Sequence, residues 1–485
     1  MSDDFYIGVD LGTTGTKAGV VSADGRLVAL ASRKATLDTP EPGRVEFDGE
    51  AYIELAFDSM REALKESGVE PASVKAIGIS SQAQTFVVLD ETGRPVRPAV
   101  SWLDVRAEKE AEELSALSVE VGGQEINAIS SGPKLLWLSR HEPDVMSKGR
   151  RVLLTPDHLI YRLTGNAISD PVTAGSTGMY DRVGGRWLEP LLERCGLRLD
   201  MMPEIRLPGE RAGELTSKAA RELGLPEETL VAVGTNDQSV GALGAGNVTP
   251  GCVSVTLGTA LAIIVTAEHG KDVPEGVGVG LHPARGYCTL LAYAKTSGIV
   301  LEWFRENFAP TLSYEEIFEE LSRVPIGADG LTCLPHFSGM GTPDFNPLAR
   351  GAFAGLNLSH GRGHLARAVV ESLTFTIREN LELLSAAVGT FTVLRTWGGG
   401  AKSDVWLQMI ADATHIAVER VAATEAAVLG AAELAMVAAG RFASVAEAAR
   451  TLYKAEKRFE PDTSVRAQYD AAFKRYRALY ESLYG

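Results

Sequence analysis

Cysteine is scarce in this chain. Its four copies among 485 residues, Cys195, Cys252, Cys288 and Cys333, lie far apart and never in a Cys-x-x-Cys pair. That spacing excludes a disulfide framework and a zinc site, so buried structural thiols are expected. Basic charge is also short: 47 Lys and Arg face 63 Asp and Glu, a net charge of -16. No cationic excess is available for nucleic-acid phosphates or an anionic membrane, although a local pocket for one nucleotide is compatible with the balance. No apolar run is long enough to span a bilayer. The acidic start Met-Ser-Asp-Asp-Phe carries no secretory signal. What remains is 45% hydrophobic and 23% charged, an ordinary globular composition. At this length one core does not suffice, so two domains are expected. The expected class is a cytoplasmic enzyme; a homodimer is left open.

The stretch Phe5–Asp10 is rich in β-formers, and a second such run follows from Lys17, with a turn at Asp24-Gly25 before a third. The loop between the first two therefore closes a hairpin. It is not a Walker A loop, since the Gly and Lys-Ser/Thr spacing is wrong and no helix follows. Gly12 and Gly15 let backbone N–H groups approach a phosphate, Thr13, Thr14 and Thr16 add hydroxyls, and Lys17 adds a charge. Asp10 would repel a bare phosphate but suits Mg²⁺, which takes oxygen ligands. Taken alone, the same residues would also make a plain Gly-Thr turn.

A second copy decides between these readings. Val255, Leu257, Gly258 and Thr259 repeat Val9, Leu11, Gly12 and Thr13 in another strand-loop-strand context. Internal duplication follows, with a boundary near the Gly-, Asn- and Pro-containing residues 244–251. The expected domains are 1–246 and 247–485. Two related domains with facing hairpins would hold Mg-ATP in an interdomain cleft.

Three further stretches carry chemistry. Residues 395–413 read as a strand, a glycine turn and a helix with Trp406, Met409, Ile410 and Ala413 on one face. Gly398, Gly399 and Gly400 permit a close backbone approach, or simply a flexible turn. Asp237 falls where a small-residue helix begins after a buried strand, a position that suits a helix cap as well as a catalytic carboxylate. Gln82 and Gln84 lie at the end of a strand, and Trp102, Asp104 and Arg106 offer an aromatic face, an acceptor and a donor fork. A local salt bridge would equally account for the last two.

The order and spacing of these motifs resemble the FGGY carbohydrate kinases from end to end. The resemblance also rests on Lys134–Leu138, Tyr161–Gly165, Arg350–Leu356 and Gly398–His415. It implies an α/β fold of two related domains of the actin/hexokinase/Hsp70, ribonuclease H-like ATPase type, and transfer of the ATP γ-phosphate to a sugar hydroxyl. It assigns proton acceptance to Asp237, a carboxylate of ordinary pKa being sufficient for phosphoryl transfer. It places the nucleotide against Gly12, Thr13, Thr14, Thr16, Lys17, Gly258, Thr259, Gly399, Gly400, Ala401 and Asp404, with the metal at Asp10. The sugar falls to Gln82, Ala83, Gln84, Trp102, Asp104, Arg106 and Asp237. Xylulokinases usually carry Gly-Gln-Met-His-Gly where this chain has Ser81-Gln82-Ala83-Gln84-Thr85, and glycerol kinases Asn-Gln-Arg-Glu-Thr. Thr235-Asn236 stands where Gly-Gly is common, and Asp404 where Asn is common. The Trp-x-Asp-x-Arg spacing leans to the xylulokinase branch, so D-xylulose is the first expected acceptor. Another pentulose, a pentitol, gluconate or glycerol comes second, and a non-catalytic ATP- and sugar-binding protein third.

Overall fold

Strand Phe5–Gly12 is the line from which the first sheet grows, because its apolar side chains are buried on both faces. A computed structural model describes residues 4–270, 272–423 and 425–485. The chain divides into two units, one of Met1–Gly246, Leu281–Arg285 and Glu425–Leu452, the other of Asn247–Gly280, Gly286–Thr424 and Tyr453–Gly485. The boundary after Gly246 is thus not the last crossing. The expected continuous domain 247–485 is broken, since Glu425–Leu452 returns to the first unit.

The main sheet of the first unit runs Arg211–Glu214, Leu230–Ala232, Val74–Ser81, Phe5–Gly12, Gly15–Ser22, Leu27–Lys34, and Thr235–Asn236 adds to the end of Val74–Ser81. Phe5–Gly12 pairs antiparallel with Gly15–Ser22 and parallel with Val74–Ser81. Helix Gly49–Ser67 covers one face. It starts at Asp48, whose carboxylate accepts from the N–H groups of Glu50 and Ala51, and stops at left-handed Gly68. Ile53, Phe57, Ile77 and Ile79 join Ile7, Val9 and Leu11 in this core.

Helix Ala426–Ala438 lies against the strands Phe5–Gly12 and Val74–Ser81 and against helix Asp237–Gly244. Glycine makes this approach feasible. A Cβ at Gly8 would collide with the carbonyl of Val428, and one at Gly78 with that of Ala431. This helix, rich in small residues, therefore backs the strands that carry Asp10 and Ser81. A second cluster in the same unit, including Phe86, Val100, Leu135 and Leu191, supports the segment around Gln82–Trp102.

The second unit repeats the pattern. Its sheet runs Gly278–Leu281, Tyr287–Ala294, Leu261–Glu268, Cys252–Leu257, Val393–Trp397, Val418–Val421, Ala455–Phe459. Cys252–Leu257 pairs antiparallel with Leu261–Glu268 and parallel with Val393–Trp397, matching Phe5–Gly12 and its neighbours. Helix Asp404–Thr414 buries Trp406, Met409, Ile410 and Ala413, the stripe read from periodicity, and the Trp406 indole donates to Thr374 Oγ1 at 3.1 Å. The four cysteines are buried and unbridged. Among the described residues no helix is long and apolar enough to cross a membrane.

One residue sits badly in this packing. Glu433, in helix Ala426–Ala438, is wholly buried with neither carboxylate oxygen hydrogen-bonded, and burial pushes its pKa up to about 8. An unfolded Glu ionises near 4.5, so stability present at low pH is lost as the pH rises towards 8. Glu433→Leu, which leaves no unsatisfied group, is expected to stabilise the protein by about 1–3 kcal/mol. Urea unfolding at pH 5.5 and 8.5 should show the larger gain at the higher pH. Equal gains, or a loss, would contradict this reading.

Candidate active site

Two carboxylates flank the end of strand Val74–Ser81. Asp10 pairs across one side with Ser80, whose hydroxyl donates to Asp10 Oδ1 at 2.8 Å. On the other side Thr235 pairs with Ser80 and Asn236 with Ser81, and Asp237 follows directly. Asn236 is the helix cap: its Oδ1 accepts the Ser239 N–H at 2.9 Å. Asp237 is therefore released from capping, and its one strong local contact is the Gln238 N–H at 2.7 Å. Thr235 is fixed from behind, its hydroxyl donating to buried Asp170 at 2.8 Å. Asp170 in turn accepts from Val172 and Thr173 N–H, and burial pushes its pKa up to about 6 against these hydrogen bonds.

The electrostatics depart from the ordinary carboxylate expected of Asp237. Burial first, and the neighbouring Asp10 second, push it up to about 7, with the Gln238 N–H opposing. Burial also raises Asp10, against the Ser80 hydrogen bond and the charge of Lys17. Lys17 is held away from full neutralisation of Asp10 by Glu425, 2.6 Å from its Nζ. A carboxylate pair with this little positive charge suits a divalent cation. Among the described residues no three His, Cys, Asp or Glu side chains cluster as a metal cage. A cation here would thus take most of its oxygens from water and phosphate, the habit of Mg²⁺.

The hairpin turn is Thr13-Thr14, between the paired Gly12 and Gly15. Thr16 departs from the expected phosphate role. Strand alternation turns it into the core, where it is wholly buried and shares a hydrogen bond of 2.9 Å with Ser59. Tyr52, which the sequence reading missed, donates to the Gly12 carbonyl at 2.6 Å and accepts from Gln82 Nε2 at 3.3 Å. Burial, then Asp10 and Asp237, raise its hydroxyl pKa and keep it neutral.

The residues expected to meet a sugar divide into two groups. Gln82 is buried against Tyr52 and Thr85; Ala83 is a small buried neighbour; Gln84 holds a left-handed backbone at φ 55°. A non-glycine there is strained by roughly 1–3 kcal/mol and needs support, and Ser131 supplies some by donating to the Gln84 carbonyl at 3.0 Å. Trp102 donates its indole N–H to Thr13 Oγ1 at 2.9 Å. Asp104 and Arg106 form the second group and are corrected as direct sugar ligands. Asp104 is 0% exposed and accepts from Val45 N–H, Arg106 N–H and the Arg106 guanidinium. Burial raises its carboxyl, but these bonds outweigh it and hold the pKa below the usual range. Arg106 also binds Glu46. The pair is a buried clamp on the loop, closer to the salt-bridge alternative than to a ligand fork. Lys134 completes it from below, donating to the carbonyls of Ser101, Trp102 and Ile129 at 2.9, 3.3 and 2.9 Å.

In the second unit the hairpin turn spans 258–260. The carbonyls of Gly258 and Thr259 accept the N–H groups of Gly298 and Ser297 at 2.8 and 2.9 Å. Gly398 adopts φ 96°, and a Cβ there would lie 2.7 Å from the Leu257 carbonyl. The turn Gly399–Lys402 follows, leaving open space beside Gly399. Asp404 is half-exposed and ion-paired to Arg420 and Lys457. Arg420 Nε also donates to the Ala401 carbonyl at 2.7 Å, tying Asp404 to the glycine turn through Arg420.

Residues 5–244 match the model of the FGGY family of carbohydrate kinases, N-terminal domain, and residues 253–439 that of the C-terminal domain. Xylulose kinase of Escherichia coli (strain K12) is 31% identical, over 99% of this chain and 99% of its own. Xylulose kinase of Bacillus subtilis (strain 168) is 28% identical over 98% and 96%. The crystal structure of xylulose kinase from Rhodospirillum rubrum superposes with a TM-score of 0.89, at 29% identity and 98% coverage of each chain.

The two neighbours Asn236 and Asp237 should separate in a stability measurement. Asn236→Ala removes the cap and should cost about 0.5–2 kcal/mol. Asp237→Asn removes a carboxylate whose folded pKa, about 7, exceeds its ordinary 3.8, so the wild type loses stability as the pH rises through that window. The variant should therefore melt no lower than wild type, and higher at pH 8. Melting curves in which Asp237→Asn is the destabilised variant would return the cap to Asp237.

Proposed function

The chain belongs to the FGGY family of carbohydrate kinases, and we propose that it transfers the γ-phosphate of Mg-ATP to the terminal hydroxyl of a ketose, D-xylulose first. The observation that carries this reading is Asp237: free of the helix cap, raised to about 7 and beside a second carboxylate. A buried carboxylate raised in this way is a stronger base than an ordinary Asp towards an attacking hydroxyl, and it keeps that role as an ordinary carboxylate once a cation lowers its pKa.

The proton of the sugar hydroxyl passes to Asp237 as the sugar oxygen bonds to the γ-phosphorus in line, while the bond from that phosphorus to the β–γ bridging oxygen breaks and ADP leaves. Asp10, oriented by Ser80, would hold the cation, which when bound neutralises phosphate charge and lowers the carboxylate pKa values. Thr13 and Thr14, with the Gly12 backbone, take phosphate oxygens. Gly258, Thr259, Gly399, Gly400 and Ala401 are the proposed remaining nucleotide contacts. The ring of Trp102 packs on the sugar C–H groups, and Gln82 and Gln84 supply uncharged hydrogen-bonding partners. Asp104 and Arg106 serve by fixing the Trp102 loop.

The xylulose kinase relatives support a five-carbon ketose. Small Ala83 in place of the bulkier Met or Arg leaves room for a pentitol or a second pentulose. Glycerol is disfavoured: a three-carbon substrate leaves hydrogen-bonding groups unpaired at about 1–3 kcal/mol each, so two losses reduce kcat/KM by roughly 10²-fold. Initial rates with Mg-ATP across xylulose, ribulose, gluconate, glycerol and the pentitols test the assignment. Asp237→Asn should lower kcat on the best sugar by about 10²–10⁴-fold, with nucleotide affinity retained. Glycerol as best substrate would overturn the sugar assignment, and a largely active Asp237→Asn would overturn the role of Asp237.

A further inference from the structure

The sugar-side loop and the phosphate hairpin meet at one hydrogen bond. Trp102 Nε1 lies 2.9 Å from Thr13 Oγ1, joining residues 89 positions apart. Indole N–H is a donor only, so the Thr13 oxygen must be the acceptor. One lone pair of Thr13 is thereby committed to Trp102, and its single proton is left to be donated elsewhere. The acceptor the structure gives that proton, Gln82 Oε1, is 3.5 Å away, at the limit of a hydrogen bond. It already takes the Thr85 hydroxyl at 3.2 Å. Thr13 is thus presented as an under-used donor at the tip of the hairpin.

The backbone of Trp102 is held independently of any ligand. Its backbone N–H donates to Thr85 Oγ1 at 3.1 Å, and the Lys134 ammonium binds its carbonyl and that of Ser101. Across the hairpin, Tyr52 and Gln82 fix the Gly12 carbonyl and the Leu11 carbonyl at 2.6 and 2.9 Å. Both ends of the bridge are anchored, so a shift of the indole plane reaches the Thr13 hydroxyl directly.

We propose that Trp102 is a positioning residue for the nucleotide: through its indole N–H it orients the Thr13 hydroxyl as a donor to a phosphate oxygen, coupling the sugar wall to the phosphate hairpin. The inference rests on the kinase reading. Accepting one hydrogen bond polarises a hydroxyl and strengthens the one it donates, so the bridge favours an anionic partner at Thr13. A sugar stacked on the same indole would hold it in place, which makes nucleotide affinity rise with sugar occupancy.

The test is calorimetric binding of a non-hydrolysable Mg-ATP analogue, with and without the best sugar, to wild type, Trp102→Phe, Thr13→Val, Thr13→Ser and the Trp102→Phe/Thr13→Val double variant. Phe keeps an aromatic face and loses the donor together with the second ring of the indole, so its effect is read beside Thr13→Val, which removes only the hydroxyl. Loss of one neutral hydrogen bond corresponds to about a two- to tenfold weakening. Trp102→Phe and Thr13→Val should each weaken the nucleotide by that factor without sugar. The double variant should be no weaker than Thr13→Val, and Thr13→Ser should bind as wild type. The sugar-induced tightening seen in wild type should vanish in Trp102→Phe. Additive losses, or a Trp102→Phe effect confined to sugar affinity, would overturn the proposal. Thr13→Val binding like wild type would overturn it even if Trp102→Phe failed to fold. Because the nucleotide measurements without sugar need no turnover, failure of the kinase reading would appear separately, as nucleotide binding with no sugar phosphorylated.

Discussion

Two carboxylates placed at the end of one buried strand govern this site. Asp10 stands on the strand to one side of Ser80 and Ser81, and Asp237 directly follows the strand on the other; each is pushed up chiefly by burial. Folding alone gains nothing from such a pair, since water would solvate both charges better. The arrangement becomes favourable when a cation and a proton-donating hydroxyl arrive, which are the partners that phosphoryl transfer needs. Preorganised charge of this kind stabilises a transition state without reorganisation at the moment of reaction.

Much of the first unit can be understood as what holds the pair still. The helix Ala426–Ala438 comes from late in the chain to back the strands that carry Asp10 and Ser80, and only glycine at 8 and 78 lets it approach. Asn236 takes the cap so that Asp237 need not. Asp170 fixes Thr235, one strand residue earlier. Around Trp102, the clamp of Asp104, Arg106 and Glu46 is buried beneath the loop it shapes. A salt bridge this enclosed is weak evidence of stability and fits better as a device that fixes one conformation.

The parts legible in the sequence were those with local periodicity or repetition. The two hairpins, the shared Val-x-Leu-Gly-Thr, the glycine turn and the Trp406 stripe all declare themselves within a few residues, and the matching sheet orders follow from the duplication. What was not legible depends on long-range packing. Thr16 reads as one of a run of loop hydroxyls, yet it is the second residue of a strand whose alternation points it inward. Asp104 and Arg106 read as a ligand fork because Glu46 and the Val45 N–H, some 60 positions earlier, are invisible to a local pattern. Tyr52 lies in an amphipathic helix with no local mark of its contact with Gly12. The return of Glu425–Leu452 to the first unit is likewise a property of the fold alone. The excess of small residues in that helix was the available clue, since such a stripe implies close packing without saying against what.

The central claim is that Asp10 and Asp237 form one site that requires a cation, with Asp10 as its protein ligand. The dependence of sugar phosphorylation on Mg²⁺ concentration, compared between wild type and Asp10→Asn at saturating ATP and sugar, tests it most directly. The half-saturating Mg²⁺ concentration should rise by about tenfold or more in the variant, the scale on which metal sites weaken when their support is cut, and added Mg²⁺ should recover part of the rate. An unchanged Mg²⁺ dependence, with the rate lowered equally at every concentration, would contradict the account.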